Sequence, residues 1–197
     1  MSILKEVVDL MDVACKNMNL TYSDIRICEL GDQMMWHGCS FRTGKDYFVA
    51  KGVKEHISID WNGKNGALKR DLANPVNEWK GYFDMVTNHG TTEHVWNQYQ
   101  VFRNIHNFCR PGGTMIHAVP IIGGWAKHCS FHYDTVFFDL LAECAGYKCI
   151  TNENRLVSYR GSGRNASIDK TDVCAILLKE KDVDFVSELD FPKVNKI

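Results

Sequence analysis

The clearest alternation of apolar and polar positions runs from Tyr82 to Pro120. Phe83 to Thr87 is a short apolar run broken by one acid, and Asn88-His89-Gly90 closes it, a pattern that predicts a buried strand entering a loop. Val95, Tyr99, Phe102, Ile105 and Phe108 then recur every three or four residues. That spacing puts one apolar stripe on a helix of about four turns. Arg110-Pro111-Gly112-Gly113 stops the helix and turns the chain, and Thr114 to Val119 predicts a second strand. Strand, crossover helix and strand make one unit of a parallel sheet. Ligands bind beyond the carboxyl ends of such strands, which here means Thr87 to His94.

The flanking pattern extends the same alternation. Ser2 to Asn17 carries Leu4, Val7, Val8, Met11 and Ala14 on one face and predicts a helix that Ser2 could cap. Asp24 to Leu30 is a strand followed by Gly31, and Phe41 to Lys51 a helix stopped at Gly52. Glu55 to Asp60 is a strand with Ile57 and Ile59 inward. Ala67 to Leu72 is a short strand ended by Asn74-Pro75. Asp134 caps a helix whose apolar face is Phe137, Phe138, Leu141, Ala142 and Ala145, and Gly146 ends it. Two closing strands, Tyr147 to Ser158 and Asp172 to Lys179, are joined by the loop Gly161 to Asn165 with no helix between, so they must be antiparallel. The charged stretch 181–197 reads as a tail lying on the surface.

Composition narrows the class. At 197 residues, with 45% apolar and 24% charged residues, the chain is expected to form one soluble domain, 1–197, with a core over 24–180. A net charge of −1 leaves no global basic footprint, so nucleic acid is not an expected partner. No apolar run is long enough for a membrane span and no signal peptide is evident. The eight cysteines are scattered without Cys-x-x-Cys spacing, which points to reduced thiols and a cytoplasmic location.

Three segments carry a family likeness. Phe83-Asp84-Met85-Val86, Glu93-His94-Val95 and Arg110-Pro111-Gly112-Gly113 stand, in order, where a class I S-adenosylmethionine-dependent methyltransferase has its fourth strand, the next helix start and the turn before its fifth strand. The chain resembles that family from about Asp24 to Lys179. The resemblance implies a Rossmann-like three-layer α/β sandwich with a seven-stranded, mostly parallel sheet and an antiparallel last strand. It also implies S-adenosylmethionine as cofactor. Glu29 and Gly31 match the start of the family's first motif, whereas Gln33 and Met35 stand where further glycines are expected. Gln33 is read as a contact to the cofactor's carboxylate instead. Asp71 and Leu72 stand where the family places an acid facing the adenine amino group and an apolar neighbour against the ring.

Other candidates come from position and chemistry. Asp60, at the tip of the second strand, is placed to accept the two ribose hydroxyls of a nucleoside. Asn88, at the fourth strand's edge, is assigned to the cofactor and Glu93 to the substrate. His94 and His89 lie where the sheet opens and are the candidate catalytic bases, since histidine titrates near neutral pH. Trp125, His128, His132 and Tyr133 follow the fifth strand and suit a small, partly planar or polar acceptor. His128 and His132 would share a helix face, as two metal ligands can, but the segment from His89 to His94 has no metalloprotease spacing and no metal is expected. The expected activity is methyl transfer to an oxygen, nitrogen or carbon of a small molecule. The alternative is a catalytically inactive binding or regulatory subunit of the same fold, and a homodimer is left open.

Overall fold

The computed structural model describes residues 2–125, 127–160 and 168–196. Seven strands form the main sheet: β1 Arg26–Leu30, β2 Glu55–Asp60, β3 Leu68–Lys69, β4 Phe83–His89, β5 Cys109–Pro120, β6 Lys148–Tyr159 and β7 Ile168–Lys179. Their order is β3-β2-β1-β4-β5-β7-β6. β1 to β5 run parallel, and β7 is antiparallel to both of its neighbours. Every residue of β4 is buried, as expected for the centre of a sheet covered on both faces. The register aligns Leu30 with Ile59 and with Asn88, and Asn88 with His117, so the carboxyl ends of β1, β2, β4 and β5 share one edge.

Helices cover both faces. α1 (Asp9–Met18) and α2 (Gly44–Ala50) contribute Leu10, Met11, Tyr47 and Phe48 to one apolar cluster. α3 (Gln98–Phe108) and α4 (Thr135–Ala145) contribute Phe102, Ile105, Phe138 and Leu141 to the other. Local chemistry sets their starts. Asn97 Oδ1 accepts the Gln100 N–H at 3.0 Å, and Asp134 Oδ1 accepts the Phe137 N–H at 2.8 Å. Thr43 and Asp46 form a reciprocal cap on α2. Gly146, with φ +67°, ends α4.

Several elements differ from the sequence pattern. The N-terminal segment is not one helix from Ser2. Ser2–Ile3 pairs in parallel with Met34–Met35, Lys5–Val7 makes one tight turn, and α1 begins only at Asp9. Ile3 and Leu4 are buried against the sheet edge, and that burial outweighs the helical spacing of this segment. The third strand shrinks to two residues. α3 begins at Gln98, after a separate tight turn over Thr92–His94 that includes neither Val95 nor α3.

The Pro-Gly turn lies inside β5. Cys109 pairs with Phe83 and Thr114 with Met85, so Arg110 to Gly113 bulge out of the ladder with β4, while Gly113 still pairs with Lys179 of β7. An added Cβ at Gly113 would sit 2.8 Å from the Asp84 carbonyl oxygen, which is why only glycine fits there. The segment around His128 and His132 is turn and short strand rather than helix, with Phe131–His132 pairing Asn195–Lys196. The final stretch is docked rather than lying free. Phe185, Phe191 and Val194 pack on the α3–α4 cluster, and the Tyr99 hydroxyl donates to the Val186 carbonyl at 3.1 Å. The loop read at Gly161 to Asn165 lies outside the described residues.

Candidate active site

Two cavities open at the carboxyl edge of the sheet, on either side of the Thr92–His94 turn. The larger, of about 460 Å³, is a cleft lined by Gly31, Asp60, Asp71, Leu72, Thr91 and His94, among others. The smaller, of about 100 Å³, is lined by His89, Glu93, Trp125, His128 and Asp172 and is closed by Ser2, Leu4 and Val7 of the N-terminal segment. Glu93 and His94 are consecutive, and each lines a different cavity.

Asp60 anchors the cleft. It is 5% exposed, Oδ2 accepts the Asp32 N–H at 2.9 Å, and Oδ1 accepts the Asn62 N–H at 2.9 Å. A carboxylate oxygen accepts more than one hydrogen bond, so each retains capacity for a ligand hydroxyl. Gly31, at φ +85°, donates its N–H to the Ile59 carbonyl at 2.7 Å and keeps the backbone after β1 free of any side chain. Asp71 uses its carboxylate on the Ala73 N–H and on the Asn74 side chain, which fixes the loop that carries Leu72 into the wall. Ile59 and Val95 add apolar lining. An acid poised at the tip of β2, bare backbone after β1 and an apolar wall are the features a nucleoside requires.

Three residues assigned to the cofactor from sequence do not line the cleft. Glu29 is buried behind it with His56 Nε2 at 3.3 Å, and burial pushes its carboxyl above the usual range. Gln33 turns inward, where Nε2 donates to the Leu30 carbonyl at 2.9 Å and to Thr91 Oγ1 at 3.1 Å. It therefore ties the loop after β1 to the loop after β4, a brace built where the family pattern has a glycine. Asn88 is also spent internally. Oδ1 accepts the Thr91 and Thr92 N–H groups, and Nδ2 reaches Thr92 Oγ1 and His117 Nδ1.

On the acceptor side the residues also divide. His89, Glu93, Trp125 and His128 line the small cavity. His132 and Tyr133 do not. The His132 ring is buried with Nε2 3.5 Å from Cys129 Sγ. The Tyr133 hydroxyl donates to Gln98 Oε1 at 2.5 Å while its ring packs on Phe102 and Phe137 in the core.

Burial resets the titrations. It pushes His89 down to about 4, and it pushes His94 to about 4 with help from the neighbouring His128. Both rings are therefore neutral at physiological pH rather than poised near it. Burial pushes Glu93 up to about 8 and Asp172 up to about 6, so the groups that titrate near neutrality are carboxyls. Trp125 Nε1 donates to Asp172 Oδ1 at 2.7 Å and fixes the indole in the cavity wall.

Sequence reasoning missed Trp61, Trp96, Thr91 and Arg70 on the cleft and Asp172 and Tyr159 on the small cavity. Trp61 and Trp96 are 75% and 72% exposed. An exposed indole immediately after Asp60 was the available signal. Asp172 had one too, as an acid at the start of an apolar strand run.

The strand order, the reversed seventh strand and the cleft beyond β1 and β2 define the class I methyltransferase fold. Residues 54–117 match the family described as a methyltransferase domain. That match covers the second strand to the middle of the fifth, and the solved structures that superpose on the chain share its fold. Among solved structures, a Burkholderia thailandensis 1,6-didemethyltoxoflavin-N1-methyltransferase superposes with a TM-score of 0.53 at 10% identity, over 88% of this chain and 79% of that one. A possible histamine N-methyltransferase of Thermotoga maritima gives 0.53 at 13% identity, over 88% and 96% of the two chains. An S-adenosylmethionine-dependent methyltransferase from Aquifex aeolicus gives 0.53 at 14% identity, over 88% and 92%. No curated protein sequence matches the chain.

Proposed function

We propose that the protein transfers a methyl group to an oxygen, nitrogen or carbon of a small acceptor held in the small cavity. The observation that carries this reading is the Asp60 carboxylate, held by two backbone N–H groups in the wall of a cleft that faces the acceptor side across one turn of chain. When bound, S-adenosylmethionine supplies a methyl group made electrophilic by the attached sulfonium. Asp60 takes the ribose hydroxyls, Leu72 and Ile59 pack against the base, and Gly31 lets the backbone approach. Trp61 and Trp96 flank the cleft and offer aromatic faces.

The acceptor lies near Glu93, Trp125 and His128, where it is held in line with the methyl carbon; such positioning carries much of the rate in a displacement. The acceptor's lone pair forms the new bond to carbon as the carbon–sulfur bond breaks, and the departing pair stays on sulfur. As the methyl arrives, the acceptor's own proton becomes strongly acidic, so a weak base suffices. His89 is neutral and, among the described residues, both its ring nitrogens lack protein partners, which suits it to that role. His94 stands where the two cavities meet. The Burkholderia thailandensis methyltransferase of the same fold holds 1,6-didemethyltoxoflavin and S-adenosylhomocysteine, which supports a small-molecule acceptor here.

The test is formation of S-adenosylhomocysteine from S-adenosylmethionine across a panel of small phenols, amines and heterocycles. Turnover with one acceptor class, lost in Asp60→Ala, is the expected result. Tight cofactor binding with no turnover across the panel would favour the inactive, regulatory reading.

A further inference from the structure

Glu93 is 0% exposed, and among the described residues neither carboxylate oxygen has a hydrogen-bond partner. A buried carboxyl without a donor is costly, and proteins normally relieve it with a partner or a cation. Two imidazoles lie beside it. His94 Nε2 is 3.7 Å from Glu93 Oε1, and the His94 and His128 rings meet edge to face with centroids 5.2 Å apart. One ligand atom from each of Glu93, His94 and His128 lies within 4.8 Å of the other two. Ligands about 2.0–2.2 Å from a common tetrahedral cation are separated by roughly 3.3–3.6 Å, so the two exposed rings would rotate inward by about an ångström to close the set.

We propose that Glu93, His94 and His128 form a three-ligand site for a divalent first-row transition cation, with Zn²⁺ as the best match to one carboxylate and two imidazoles. Two neutral imidazoles and one carboxylate are the donors that such ions take, and three protein ligands leave a position open. The two segments that supply the ligands are fixed relative to each other. The Thr92–His94 turn is held by Asn88, which accepts the Thr92 N–H at 3.1 Å. The His128 segment is joined to it where the Ser130 N–H donates to the Glu93 carbonyl at 3.2 Å. Glu93 and His128 both line the small cavity, so the open position faces the space assigned to the acceptor. Resting on the methyl-transfer reading, the site would bind an acceptor bearing an oxygen donor, lower that donor's affinity for its proton, and hold it facing the cleft. Catechol-like or hydroxy-acid acceptors are the class this favours over simple amines.

Calorimetric titration of chelator-treated protein with Zn²⁺ alone, paired with Co²⁺ titration read by visible d–d absorption, tests the site without any acceptor. One cation per chain is expected, with Co²⁺ bands of a nitrogen–oxygen environment. Glu93→Gln and His128→Ala should each weaken binding by about a hundredfold, while His37→Ala, outside the cluster, should leave it unchanged. Thermal melting of each variant shows whether the fold persists, and S-adenosylhomocysteine titration of the same preparations separates the two readings. Cofactor binding without Zn²⁺ binding overturns the metal site alone. Zn²⁺ binding without cofactor binding leaves the metal site standing and overturns the methyl-transfer reading. Zn²⁺ binding that both substitutions leave intact also overturns the site.

Discussion

The Asp60 carboxylate accepts the backbone N–H of Asp32 at 2.9 Å, so the end of β2 fixes the loop that leaves β1. One side chain thereby shapes the cleft and presents an acceptor to it. Asp60→Asn keeps the size but replaces one oxygen by a donor. Cofactor affinity should fall by about 1–3 kcal/mol, as for loss of a charge-assisted hydrogen bond. Titration with S-adenosylhomocysteine, with melting as a control for folding, measures this, and an unchanged affinity in a folded variant removes Asp60 from the site.

Asp84 holds two arginines at the amino end of the central strand. Its carboxylate accepts the Arg26 N–H at 2.7 Å, Arg26 Nε at 3.2 Å and Arg110 Nε at 2.5 Å, and these contacts lower its pKa against the opposing effect of burial. Asp84→Asn should cost about 2–3 kcal/mol in urea unfolding, below the cost for a fully buried pair because both arginines are partly exposed. Because the folded pKa is depressed, this stabilisation is present above the ordinary aspartate value and is lost as pH falls through the folded value. A variant as stable as the parent would mean that the bulge at Arg110 to Gly113 does not depend on this contact.

Two buried histidines predict an earlier acid transition. His106 Nε2 donates to the Val183 carbonyl at 2.8 Å and Nδ1 accepts from the Tyr147 hydroxyl at 2.7 Å, an arrangement that suits the neutral ring. Burial pushes His106 down to about 4 and His117 down to about 3. Folded values below the unfolded one mean that their contribution is complete above about pH 6.5 and is lost as pH falls through the folded values. Each should withdraw on the order of 3 kcal/mol across that window. Unfolding free energies at several pH values between 7 and 4 measure the slope, and His106→Gln should flatten it by about one proton. An identical slope in the variant would contradict the assignment.

The docked C-terminal stretch predicts a stability cost far from the site. Phe191 packs on Phe102 with ring centroids 5.7 Å apart and on Tyr99 at 5.7 Å. Phe191→Ala should destabilise by about 2–3 kcal/mol, at the low end for a phenylalanine because the ring is only partly buried. Its cofactor affinity should match the parent's, since Phe191 lies under α3 and lines neither cavity.

The sequence was most legible where burial and period agree. The run Phe83 to Thr87, apolar but for Asp84, is fully buried at the sheet centre, and Glu55 to Asp60 alternates clearly and ends where it was expected to end. The last two strands follow one another too closely in sequence for a crossover connection, and they pair antiparallel. Legibility failed where a residue's partner is distant in sequence. Gln33 bonds Thr91 and Asn88 bonds His117, and neither pairing leaves a local pattern. The first residues read as helix because Leu4, Val7, Val8 and Met11 have helical spacing, yet Ile3 and Leu4 are buried beside the small cavity by contacts from other segments. The charged look of 181–197 hid Phe185 and Phe191, whose spacing matches no regular element. Loss of solvent around His89, Glu93 and, in part, the half-exposed His94 moved the histidines and the carboxyl in opposite directions, which no reading of residue type could supply.

Calorimetric titration of the purified chain with S-adenosylhomocysteine tests the central claim most directly. The arrangement of Asp60, Gly31 and Leu72 predicts one site per chain with a dissociation constant on the order of micromolar, despite Gln33 in place of a glycine. Absence of binding to a folded protein would contradict it and would mean that the inward brace of Gln33 and Thr91 has closed the nucleoside site.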